Sequence, residues 1–239
     1  MRRTNNQIKQ DTTMKKLSIL TVAFLFTAGM AFAQSNEATI DQEGEDHEAM
    51  IEQIGFSNMA YVDQTDGGSN GDATADISQE GDNNYVNILQ RAFFGFPDES
   101  VATITQIGDN NRIEGTSETS AFYQNQPGGI LDVSMVGNDN LLYSLRGEAQ
   151  KNNNEFFLDI IGSDNTVGME QESGIGDVDI EGDLNSVMLS QLGNNSAFNT
   201  AMVDIMGNEN GVSVTQTMDS NSAVVNVTGS FNSATITQN

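Results

Sequence analysis

The sequence predicts an all-β protein: a β-solenoid of about eight two-stranded strand–turn–strand coils over residues 34–239, plus a partial one. Three observations predict it. Apolar residues and glutamine alternate at period two, as in Ala38-x-Ile40-x-Gln42 and Ala49-x-Ile51-x-Gln53, the pattern of strands with one buried face. A Gly-x-x-Asn turn interrupts the alternation eight times, at Gly55/Asn58, Gly81/Asn84, Gly108/Asn111, Gly137/Asn140, Gly162/Asn165, Gly182/Asn185, Gly207/Asn210 and Gly229/Asn232. Aligned on these turns, positions not used to find them also form columns. Six residues before each glycine stand Ala49, Ala75, Ala102, Leu131, Phe156, Gly176, Ala201 and Ala223; four before stand only Ile, Val or Leu. Two after each asparagine the residues are Ala60, Val86, Ile113, Leu142, Val167, Val187, Val212 and Ala234.

Taken in chain order, residues 1–33 read as an N-terminal extension and a cleaved secretory signal. Met14-Lys15-Lys16 opens a short basic region, residues 17–26 are almost continuously apolar, and Ala31-Phe32-Ala33 is a small-residue cleavage pattern. Counted from Leu17 to Phe32 the stretch is about 16 residues, short for a membrane span of about 20. The mature chain is expected to start near Gln34, to leave the cytoplasm and to carry no membrane span. Residues 1–13 read as an extension upstream of a start at Met14.

Each coil then needs two strands and two turns. Glycine supplies positive φ, and asparagine tolerates the left-handed region and bonds neighbouring backbone. Two strands of five or six residues with two four-residue turns fill about 22 residues. Successive glycines are 26, 27, 29, 25, 20, 25 and 22 apart, so the surplus falls in the second turn. That turn is short at 44–47, 193–196 and 218–221 and swollen at 91–100 and 117–129. At about 4.8 Å per coil the stack is roughly 40 Å long.

Two glutamine columns share the inward parity. Before the turn the column runs Gln53, Gln79, Gln106, Met135, Ile160, Ile180, Ile205, Val227. Six after the asparagine it runs Gln64, Gln90, Ser117, Arg146, Gln171, Gln191, Gln216, Gln238. A lone buried amide is costly, but amides stacked at strand spacing bond one another. The first column turns aliphatic midway and the second is broken at Ser117 and Arg146. The middle coils are therefore expected to be the least regular, with Arg146 turned outward.

Composition excludes much. The chain has 239 residues, no Cys, no Trp and one histidine, His47. That removes disulfide scaffolds, thiolate chemistry and nearly every histidine-built metal site. Residues 34–239 hold 4 basic and 33 acidic groups, which opposes binding to nucleic acid or anionic membrane. Close carboxylate pairs such as Glu48 and Glu52 resemble a glycosidase pair, yet with 33 acids they read as a solvated face. The expectation is no enzyme, no cofactor and no metal. Oxygen-rich turns such as 81–84 suggest calcium, but the acids are irregular: Phe56-Ser57 and Ser230-Phe231 fill the same turn elsewhere. Thr-x-Thr pairs form no flat array of the kind that binds ice. His47 reads as an asparagine substitute in a turn, and Phe93, Phe94 and Phe96 as packing over the solenoid edge. A self-assembling subunit and a monomeric surface-held adhesin or calcium-binding repeat module both stay open.

The string Gln-x-Gly-x-x-Asn-x-apolar-x-apolar-x-Gln occurs intact at 53–64 and 79–90 and nearly so at 106–117. It resembles the curlin repeat of bacterial curli subunits, over roughly residues 38–239. The resemblance implies a secreted subunit that passes an outer-membrane secretion channel. It implies end-to-end homopolymers, extracellular amyloid fibres for biofilm matrix and adhesion at the bacterial cell surface. It implies a nucleator or major curlin subunit as partner, and stacking ladders formed by the Gln and Asn columns. The lost glutamines of the middle coils and the high negative charge depart from the family pattern. Sequence physics points the same way: the first coil starts close after the cleavage site, the last strand runs to Asn239, and both open ends are expected to add strands.

Overall fold

The computed structural model describes residues 35–239 apart from 45, 67–71, 93–99, 118–119, 126–129, 148, 152–154, 173, 194–198 and 219. The signal segment 1–33 and the cluster Phe93, Phe94 and Phe96 lie outside the described residues, as does much of each swollen turn.

The described residues form an all-β solenoid of two facing parallel sheets with no helix. Sheet 1 stacks nine rungs: Glu37–Glu43, Met59–Asp66, Tyr85–Ala92, Arg112–Glu114 continued by Phe122–Asn125, Leu141–Ser144 continued by Gln150–Lys151, Thr166–Gln171, Ser186–Leu192, Gly211–Thr217 and Ser233–Gln238. Sheet 2 stacks eight: Glu48–Ile54, Ala73–Glu80, Ser100–Ile107, Ile130–Val136, Glu155–Phe156 continued by Asp159–Ile161, Gly174–Glu181, Asn199–Met206 and Ser222–Thr228. The chain alternates between the sheets, so each rung pairs with the rung two steps on along the chain. The result is eight coils and a closing half-coil.

The register follows the inward columns. Ala49, Ala75, Ala102, Leu131, Phe156, Gly176, Ala201 and Ala223 are successive backbone partners in sheet 2. Ala60, Val86, Ile113, Leu142, Val167, Val187, Val212 and Ala234 are partners in sheet 1. A one-residue slip would turn each apolar face to water, so this register is strongly fixed. Side-chain volumes compensate along a column. Phe156 is followed by Gly176, where a Cβ would come within 3.2 Å of both Phe156 and Leu189. Large buried Phe122 stands on the rung before small Ser144.

The middle coils do deviate, in a way that counting along the chain does not reveal. Ile113 pairs with Val86, yet it is Phe122 that pairs with Ile88. Residues 115–117 and 120–121 stand off the rung, pinned by bonds from Gly115 N to Ser120 O and from Ser117 N to Ser120 Oγ. One coil later Ser144 pairs with Met169 and Gln150 with Gln171, and Ala149 bonds the rungs on both sides, so Arg146 and Gly147 stand off the rung likewise. Ser117 and Arg146 therefore do not stand in the glutamine column. Gln124 and Gln150 replace them, buried and in register with Gln90 and with each other. Arg146 points outward and ion-pairs through Nε with Glu170 at 3.0 Å.

Candidate functional site

Among the described residues the features that repeat along the fold are the hydrogen-bond columns and the two faces where they stop. Each Gly-x-x-Asn turn uses its residues in distinct ways. The turn glycines Gly55, Gly81, Gly108, Gly137, Gly162, Gly182, Gly207 and Gly229 all have φ between 108° and 146°. A Cβ on any of the first seven would fall 1.9–2.1 Å from the carbonyl oxygen of the next glycine in the column. Glycine is thus required twice, for conformation and for space. The left-handed residue is the one before the asparagine, not the asparagine itself: Ser57, Asn83, Asn110, Asp139, Asp164, Leu184, Glu209 and Phe231 have φ of 56–61°.

The asparagine is thereby free to bond along the stack. Each Oδ1 accepts the backbone N–H of the next asparagine, through Asn36, Asn58, Asn84, Asn111, Asn140, Asn165, Asn185, Asn210 and Asn232, at 2.9–3.2 Å. Each Nδ2 from Asn58 to Asn210 donates to the carbonyl of the next turn glycine at 2.7–2.8 Å. On the opposite edge Asn221 bonds Asn199 in the same way. His47 Nε2 lies 3.3 Å from the carbonyl four residues back, the contact that Asn221 Nδ2 makes with Thr217.

A further column escapes the sequence reading. The residue after each turn glycine offers a side-chain oxygen to the backbone N–H of its predecessor: Phe56 N to Asp82, Asp82 N to Asp109, Asp109 N to Asn138, Asn138 N to Ser163, Ser163 N to Asp183, Asp183 N to Asn208 and Asn208 N to Ser230. Asp, Asn and Ser share only an acceptor oxygen, so the column is invisible to residue type. The carboxylates of Asp82, Asp109 and Asp183 are thereby held by backbone donors. Among the described residues no group of three or more His, Cys, Asp or Glu is placed to hold a metal ion.

The glutamine amides run through the core. In sheet 1, Nε2 donates to the next Oε1 from Gln42 through Gln64, Gln90 and Gln124 to Gln150, and again from Gln171 through Gln191 and Gln216 to Gln238, at 2.7–3.0 Å. Between Gln150 and Gln171 the backbone register continues, and buried Gln150 Nε2 has no acceptor among the described residues. In sheet 2, Gln53, Gln79 and Gln106 bond at 2.8 Å, and buried Met135, Ile160, Ile180, Ile205 and Val227 continue the column. The amides also tie the sheets together. Gln64 and Gln238 of sheet 1 donate to the carbonyls of Glu48 and Ser222, which begin sheet 2 strands. Gln53 and Gln79 of sheet 2 donate to those of Glu37 and Met59, which begin sheet 1 strands. The two halves of a coil are near copies related by a half-turn.

Acidic side chains stack on the outer faces. Asp41 pairs with Asp63, and Asp159 with Asp179 and then Asp204. Burial first, then the facing acids Asp41 and Glu43, hold the Asp63 carboxyl above the usual range. Burial followed by Asp177, Asp159 and Asp204 does the same to Asp179. Burial raises Glu170 as well, against the downward pull of Arg146.

The end faces differ. At the N-terminal face the rungs Glu37–Glu43 and Glu48–Ile54 present Glu37, Asp41, Glu43, Glu48 and Glu52 outward, all exposed. The C-terminal rungs Ser222–Thr228 and Ser233–Gln238 present Ser222, Val224, Asn226, Thr228, Ser233, Thr235 and Thr237, none of them charged. Inward, Ile40 is 43% exposed, because no described strand lies beneath it. Among the described residues no helix is long and apolar enough to cross a membrane.

Residues 33–65, 71–114 and 207–239 match the curlin associated repeat. The unmatched stretch between the second and third regions contains the two bulges and most of the aliphatic half of the sheet 2 column. No curated protein and no solved structure matches the chain.

Proposed function

The chain belongs to the curlin-repeat family, a family of structural rather than catalytic proteins, and from that premise we propose that it is a secreted subunit that stacks end to end into extracellular amyloid fibres. One observation carries the proposal: the backbone ladders and the asparagine column run through the described solenoid to both end faces, where no further described strand pairs with the edge. Asn232 Oδ1 and Gln238 Nε2 stand at one end of columns whose other members each bond a neighbour. Open strand edges of this length template further strands. In the family setting the fibres form at the bacterial cell surface, after passage through an outer-membrane channel. There a nucleator or major curlin subunit is the partner, and the fibre serves biofilm matrix and adhesion.

The test is fibre growth from purified residues 34–239. Thioflavin fluorescence should rise with a lag that preformed fibres abolish, and the fibres should diffract at about 4.8 Å along their axis. A chain that stays monomeric at high concentration across pH and salt would overturn the proposal in favour of a monomeric surface-held adhesin.

A further inference from the structure

Resting on the fibre reading above, we infer that successive subunits join with a half-turn about the fibre axis. Sheet 1 of each subunit then stacks on sheet 2 of the one before it. The described solenoid has nine rungs in sheet 1 and eight in sheet 2, and its first and last strands both belong to sheet 1. Consider stacking without rotation. Strand Glu37–Glu43 of the incoming subunit then lies on Ser233–Gln238, while in sheet 2 the incoming Glu48–Ile54 stands a full rung above Ser222–Thr228. One strand is missing there, leaving a slot about 9.6 Å between strand axes. The slot exposes Ala223, Val225 and Val227 on one side, Ala49 and Ile51 on the other, and two rows of unpaired backbone groups. Unpaired backbone and uncovered apolar surface both oppose assembly.

A half-turn closes the slot. The incoming Glu48–Ile54 then lies on Ser233–Gln238, placing Ala49, Ile51 and Gln53 over Ala234, Ile236 and Gln238. The incoming Glu37–Glu43 lies on Ser222–Thr228, placing Ala38 and Ile40 over Ala223 and Val225. Amide stacking does not select between the arrangements, since Gln238 meets Gln53 in one and Gln42 in the other.

The turns do match across the half-turn. It sets Gly44, Asp46 and His47 over Gly229, Phe231 and Asn232. Gly44 and Gly229 have φ of 137° and 108°, and Asp46 and Phe231 both have φ of 61°. The 44–47 turn lies on the sheet 1 to sheet 2 edge, where the next connections, Asp66 to Ala73 and Ala92 to Ser100, are longer. Its four-residue length matches the turns of the other edge, which is where the half-turn puts it. On the remaining edge Ser35 and Asn36 follow Ser220 and Asn221, with Ser35 and Ser220 at φ 62° and 65°. The cross-sheet glutamine caps already repeat after a half-turn within a coil.

Charge fixes the polarity. The acids of the incoming face meet hydroxyls and amides, as Asp204 already meets Asn226 within the chain, Oδ2 accepting from Nδ2 at 2.9 Å. Joining two acidic faces would instead set like charges on adjacent strands.

The chain has no cysteine, so engineered disulfides report the junction cleanly. Outward residues directly opposite on neighbouring strands lie within disulfide reach. Residue 235 is at the far end of the stack from residues 39 and 50, so a bond to either is intermolecular. Fibres of the Thr235→Cys, Met50→Cys variant, oxidised after assembly, should run as disulfide-linked multimers on non-reducing gels. Fibres of Thr235→Cys, Thr39→Cys should run as monomers. The Val224→Cys, Thr39→Cys pair should cross-link, a second reading at the same junction. Cryo-electron microscopy of unsubstituted fibres should give about half a turn per subunit, added to the twist of the solenoid, with a rise near 41 Å. Cross-linking of the 235–39 pair, or a rise near 43 Å with no half-turn, would overturn the inference while leaving the fibre reading intact. Absence of fibres from the unsubstituted chain would remove the fibre reading and this inference with it.

Discussion

Asn84 shows what one residue does in this architecture. Its Nδ2 donates to Gly108 O at 2.7 Å and its Oδ1 accepts Asn111 N at 3.0 Å, both inside the stack. Asn84→Ala leaves the part-buried carbonyl and the buried amide without these partners, at up to about 1–3 kcal/mol for each. Outward Glu52→Ala is expected to stay within about 0.5 kcal/mol. Urea unfolding midpoints and assembly lag times should both separate the two variants; equal values would remove the ladder argument. Gly108→Ala should be worse than either, since the new Cβ meets Gly137 O and φ is 117°. The glycine and asparagine positions were legible in the sequence because one residue type satisfies each geometry. The column through Asp82, Asp109, Asn138, Ser163, Asp183, Asn208 and Ser230 was not, because its requirement is a short side chain ending in an oxygen, met by three residue types.

At the scale of elements, the two bulges hid Gln124 and Gln150 from a count that began at the turn asparagine. A residue that leaves a rung adds to the chain but not to the column. The pair Phe122-x-Gln124 downstream of Gly115, repeating the apolar-x-Gln ending of regular rungs, is the signal that could have located the return. The second bulge also creates a test. Glu170 is buried beside the point where Arg146 and Gly147 leave the rung, and Arg146 is its counter-ion. Removing the cation leaves a buried carboxylate uncompensated. A carboxyl whose folded pKa lies above its unfolded value gives its full stability below the unfolded value and loses it as pH rises through the folded one. Arg146→Ala should raise that folded value further. The variant should therefore match the parent near pH 4 and fall below it in thermal midpoint as pH rises to 7. Adding Glu170→Gln should restore most of the difference. A deficit independent of pH would mean that Arg146 acts through packing alone.

For the whole molecule, the same sign governs the acidic columns. Asp63 and Asp179, held protonated to higher pH by burial and by facing acids, cost stability at neutral pH and return it as pH falls towards the ordinary carboxylate value. Salt near 1 M should act in the same direction by screening the exposed acids. Lag times measured from pH 8 to pH 4, and from near-zero salt upward, should shorten along both axes. An unchanged lag would mean that the acids are already neutralised by bound cations. The eight-coil architecture was fully legible because an alternating pattern and one turn suffice to set it. The closing half-coil was legible as well, because the alternating strand Ser233–Gln238 follows the last Gly-x-x-Asn turn. The contrast between an acidic first face and an uncharged last one carries a consequence for kinetics: a growing filament has two chemically different tips. A cationic peptide, cut to strand length and carrying the Ala-x-Ile-x-Gln alternation, would poison the acidic tip and leave the neutral one extending. Single-filament imaging would then show bidirectional elongation become one-sided.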